Sequence, residues 1–62
     1  MTKIGESYRI LLINDNGSLS VYTGKVLEED DLFLKFQDKF NKEIIAKKLT
    51  IKRVEQLWKN IH

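Results

Sequence analysis

The side chains able to do acid–base or metal chemistry are few in this sequence, and they are badly spaced for it. Its single histidine, His62, is the last residue, where chain ends fray and a general base is hard to hold. Cysteine is missing, which excludes a thiolate nucleophile, a disulfide framework and a cysteine zinc site. Carboxylates cluster once, at Glu28-Glu29-Asp30-Asp31. A calcium loop alternates its ligands over about twelve residues around a central glycine; this run does not, and it reads as a solvated turn. The three glycines are scattered, so neither a phosphate-cradling glycine-rich loop nor a glycine-flanked serine nucleophile is present. The expectation is a protein that is not an enzyme, with no catalytic residue, no metal ligand, no cofactor and no small-molecule substrate.

The cations are more informative. Net charge is only +2, but it is unevenly spread. Residues 1–31 carry Lys3, Arg9 and Lys25 against six carboxylates, for −3; residues 32–62 carry eight cations against three carboxylates, for +5. A basic half of this kind attracts phosphate backbones without reading sequence, although lysine-rich faces also serve solubility. Nine of the eleven basic residues are lysine, and arginine is the better residue for bidentate phosphate recognition.

The elements that must position these charges are small. Sixty-two residues suit one domain, and a chain of this length buries only about 60% of its unfolded surface. With 42% hydrophobic and 32% charged residues the chain is too apolar to stay disordered. No apolar run approaches the roughly 20 residues of a membrane span. Residues Met1 to Gly5 lack the hydrophobic stretch of a signal peptide, so a cytoplasmic protein with no membrane partner is expected.

Period-two alternation dominates the first two-thirds. Strands are expected roughly at 8–13, 19–28, 32–37, 43–47 and 50–54. Asn16-Gly17 between the first two supplies residues that tolerate positive φ, a strong hairpin signal. Gly24 reads as a bend or bulge within the second strand, and Phe40 as an aromatic folding back to plug one end of the fold. In the tail, Val54, Leu57, Trp58 and Ile61 stand at i, i+3, i+4 and i+7, a helical stripe, so a short helix is expected roughly over 54–61. Trp58 there would cap the open end of a barrel as a core residue or, alternatively, stack a base.

Four or five short antiparallel strands with a glycine bend resemble a small SH3-like barrel, since closing a sheet protects its edges. The run from Gly24 to Phe36 is similar to the first half of the Sm signature, with Gly24, Val26, Asp30, Phe33, Leu34 and Phe36 at matching positions. Ile45 to Leu57 loosely matches the closing strand pair. The fold class implied is all-β, a small SH3-like or Sm-like antiparallel barrel with a short C-terminal helix. Bacterial Sm-like RNA chaperones share this outline, and Sm-like subunits form rings by pairing strand edges.

Two functions follow. In the first, the protein binds RNA or DNA through a basic face. Lys35, Lys47, Lys48, Lys52 and Arg53 would contact phosphates, with Tyr22 and Phe33 as stacking rings; Phe33 reads equally as a second apolar layer under the C-terminal helix. Lys47 and Lys48 are both expected to face solvent. In the second, the protein is an interaction or structural module that meets a protein partner or forms a homo-oligomer, including a small inhibitor of a larger protein. The acidic turn at 28–31 and the basic segment at 47–53 would then be complementary surfaces of neighbouring subunits.

Overall fold

Alternating apolar residues in the computed structural model, which describes residues 2–57, build five strands. These are β1 (Ser7–Ile13), β2 (Leu19–Glu29), β3 (Phe33–Asp38), β4 (Glu43–Lys47) and β5 (Ile51–Gln56), with a 3-10 turn at Lys48–Thr50 before β5. All pair antiparallel in a single sheet ordered β4-β3-β2-β1-β5. An all-β fold with strands near the expected positions is therefore present.

Register decides which face is buried. Tyr8 lies opposite Gly24 and Ile10 opposite Tyr22, while Val26 meets Phe36 and Leu34 meets Ala46. Tyr8, Ile10, Val26, Leu34, Phe36 and Ala46 form the core, with Ile44 and Ile51 packed against it. Residues of both edge strands reach this one cluster, so the sheet curls around it. Fully burying a side chain such as Phe36 contributes roughly 1.5–3 kcal/mol.

The expected closed barrel is corrected: the ladder stays open between β4 and β5, which occupy the two ends of the strand order. A three-residue 3-10 corner joins them, and a corner turns the chain where a hairpin would lay the strands side by side. The expected helix is corrected at its start. Val54, Glu55 and Gln56 pair with Ile10, Arg9 and Tyr8, and the Leu57 amide donates to the Ser7 carbonyl at 3.1 Å. Long-range ladder bonds override the local helical stripe there; Trp58 and the remaining positions to 61 lie outside the described residues.

Three side-chain-braced turns hold the strands. Between β1 and β2 the Asn14 amide donates to the Ser18 carbonyl at 2.7 Å, and Gly17 takes φ 88°, the left-handed position that Asn-Gly promises. Between β2 and β3 the Asp30 carboxylate accepts from the amides of Leu32 and Phe33 at 2.9 and 2.8 Å, and these bonds lower its pKa. Between β3 and β4 the Asp38 carboxylate accepts from the amides of Phe40 and Lys42 at 2.8 and 2.9 Å. Asn41 there adopts φ 66°.

Gly24 is not the site of a bulge. The pairing of β2 with β3 shifts between Val26 and Glu28, leaving Leu27 as the extra residue. What Gly24 supplies is room for Phe36, whose ring lies where a side chain would begin.

Candidate nucleic-acid interface

Alternation along β3 places Phe33, Lys35 and Gln37 on the outward face, where β4 adds Ile45 and Lys47. Phe33 lies directly opposite Lys47 and is 39% exposed. Lys35, between them and the turn, is shared by two carboxylates: its ammonium stands 3.9 Å from Glu28 and 3.7 Å from Glu43. The hollow among Phe33, Lys35 and Ile45 is rimmed by Glu28, Glu29 and Asp30. Four carboxylates around one half-buried lysine repel a phosphate, so the hollow at Lys35 is poorly suited to one.

Lys48 does not face solvent freely. Its ammonium binds the Glu29 carboxylate at 2.5 Å, which also accepts from the backbone amide and hydroxyl of Thr2. The acidic turn and the basic segment thus meet within one chain at Glu29 and Lys48. The Lys48 hydrogen bond, then the Thr2 hydroxyl, lower the Glu29 pKa from 4.5 to about 2. Because the folded value lies below the unfolded one, the contact stabilises the fold above pH 4.5 and is lost as pH falls toward 2. In circular-dichroism melts, Glu29→Gln is expected to cost melting temperature at neutral pH. That deficit should close in acid as the wild-type carboxylate protonates. A pH-independent deficit would mean that the charge contributes nothing.

The other expected contacts lie elsewhere. Arg53 is 3.2 Å from Glu55, which also meets Arg9 at 3.7 Å, and both sit on β5 and β1, away from β3 and β4. Lys52 is exposed at the register shift between β1 and β5. Tyr22 faces inward: its ring is partly buried, with its centroid 5.6 Å from that of Phe36 at an interplanar angle of 59°. The structure brings Phe33, Lys35 and Lys47 together and separates Tyr22, Lys52 and Arg53 from them.

At the opposite end of the same hairpin stand residues that the sequence reading passed over. Lys25 on β2 and Lys39 line one surface hollow, and exposed Lys42 follows in the turn. These three, and Lys47 at the first end beside Phe33, make no ion pair with a described carboxylate. Phe40, expected to fold back as a plug, is 74% exposed, because the Asp38 bonds turn the backbone outward. A paired basic residue cannot be told from a free one by composition; only the register shows which lysines are spent.

No family model, curated protein or solved structure matches this chain. The chemistry must therefore be read from the side chains themselves. Among the described residues no group of three or more metal-ligating side chains converges, and no helix is long and apolar enough to cross a membrane.

Proposed function

We propose that this protein is a non-catalytic nucleic-acid-binding module that holds a phosphate backbone along the outward face of its β2–β3–β4 sheet, from Lys25, Lys39 and Lys42 at the β3–β4 turn to Lys47 beside Phe33. One observation carries the reading: Lys25, Lys39, Lys42 and Lys47 are uncommitted to any described carboxylate, whereas Lys35, Lys48 and Arg53 are ion-paired. Free ammonium groups release counterions from a polyanion, which gives affinity without sequence information. As part of the same reading, the curled five-stranded antiparallel sheet is a half-open variant of an SH3-like barrel of Sm-like type, and the protein works in the cytoplasm.

The test is binding of labelled single-stranded RNA and DNA across a salt titration. Affinity should fall steeply as salt rises, with a log–log slope of about −0.7 for each phosphate contacted. No binding at low salt removes the proposal.

A second reading, edge-to-edge pairing with a protein partner or another copy, is favoured by β4 and β5, which among the described residues each pair with a strand on one side only. Ile45 at 62% and Leu49 at 97% exposure lie on and beside the first of them. Open edges with apolar side chains are ready templates for added strands. Sedimentation equilibrium is then expected to show association that strengthens with concentration. A monomer at every concentration excludes pairing between copies.

A further inference from the structure

The turn between β3 and β4 carries an aromatic ring where packing gives no reason for one. Phe40 leaves 74% of its surface in water, yet the backbone that presents it is firmly held. Asp38 accepts from the Phe40 and Lys42 amides at 2.8 and 2.9 Å. In return, its own amide donates to the Lys42 carbonyl at 2.9 Å, and the Asn41 amide donates to the Asp38 carbonyl at 3.0 Å. A ring fixed in this way loses little conformational freedom when a flat partner lies against it. The Lys39 ammonium stands 5.6 Å from the ring centroid, close enough for a cation–π contact.

Lys39 also belongs to a second feature. With Lys25 it lines a hollow of about 300 Å³ whose other walls include Ser7, Thr23 and Asn41. Two ammonium groups, two hydroxyls and an amide are donors suited to phosphate oxygens. The one carboxylate in the lining, Asp38, has an oxygen already engaged by two backbone amides. An aromatic platform and a cationic donor hollow thus adjoin, with Lys39 common to both.

We propose that this turn is a subsite for one unpaired nucleotide, its base stacked on Phe40 and its phosphate in the hollow beside Lys25 and Lys39. The inference rests on the nucleic-acid reading above and narrows it. A duplex buries its base faces in the stack and cannot offer one to the ring, so single strands are preferred. The same pair of groups, base and phosphate, occurs in a strand and in a free nucleotide.

The test compares wild type with Phe40→Ala and Phe40→Tyr by fluorescence anisotropy. The probes are a labelled oligouridylate, a duplex and an abasic strand of equal length, with uridine monophosphate as competitor. Phe40→Ala should weaken oligouridylate binding roughly tenfold, the scale of one stacked base. Duplex and abasic binding should be unchanged, and Phe40→Tyr should restore the preference. Displacement of the labelled strand by the mononucleotide assigns the subsite to free nucleotides as well; failure to displace it assigns the subsite to strands. If wild type binds all three polymers and Phe40→Ala changes none of them, or all alike, the subsite is overturned and the broader reading stands. If wild type binds no polymer, both fall. Phe40 contributes nothing to the core, and a circular-dichroism melt of each variant checks that the fold is kept.

Discussion

Replacing Gly24 with alanine is expected to lower the melting temperature by roughly 12–24 °C, the equivalent of about 3 kcal/mol in a domain of this size. The added methyl carbon would stand 2.6 Å from Phe36 Cδ2 and 2.8 Å from the Gln37 carbonyl oxygen. Neither neighbour can yield easily. Phe36 is fully buried, so its ring has no empty space to enter, and interiors packed at crystal-like density transmit such a shift to their neighbours. Tyr22 stands against the same ring. The Gln37 oxygen belongs to the backbone of β3, which is fixed on both sides by β2 and β4. A chain of this length has a total stability of only roughly 3–9 kcal/mol, so the loss takes a large share of it. Gly17→Ala is the control. Gly17 has φ 88° but nothing within 4 Å of an added carbon, so it carries torsional strain without a clash, at a cost of about 1 kcal/mol. Equal melting temperatures for the two alanine variants would refute the steric account of Gly24.

Gly24 also marks where sequence patterning stops being informative. Alternation in β1, β3 and β4 is strong enough to locate the strands, since a half-buried pleat needs apolar residues at every second position. A glycine within a strand is legible as an irregularity, but its purpose depends on Phe36, twelve positions on in the sequence and placed beside it only by the register of β2 with β3. The choice of face in β2 is hidden for a related reason. Leu19 and Val21 on one side compete with Tyr22 and Val26 on the other, and pairing with Tyr8 and Ile10 settles the matter in favour of the second set. Val21, 59% exposed, is left outside. A single-residue slip of register would invert the choice.

The lysines follow the same logic. Uneven charge along the chain is visible at once, yet the partners that neutralise part of it come from other strands. Glu29 reaches Lys48 across 19 positions, and Glu28 reaches Lys35 across the β2–β3 ladder. Asp38 and Asn41 are residue types that brace reversals of the chain, but the outward direction of Phe40 cannot be read from them, because it follows from which amides the Asp38 carboxylate engages. Free charge and exposed ring meet at one end of the molecule only after the ladder is assembled.

Changing Lys25, Lys39, Lys42 and Lys47 together to glutamine should abolish most of the salt dependence of nucleic-acid binding. Four phosphate contacts on a single strand give a slope of about −2.8, so wild-type affinity should fall roughly 50-fold between about 50 and 200 mM salt. The fourfold variant should show a nearly flat line and much weaker binding at the low end. The fold should survive, because all four side chains are exposed and none forms an ion pair with a described carboxylate. Lys48→Gln separates electrostatic recognition from structural charge. Its ammonium is held by Glu29, so the substitution should lower stability while leaving the salt slope near the wild-type value. A fourfold variant with an undiminished slope would place the phosphate contacts elsewhere on the molecule. A Lys48 variant that loses slope without losing stability would show that the Glu29 contact opens when the polyanion binds, making that lysine part of the interface.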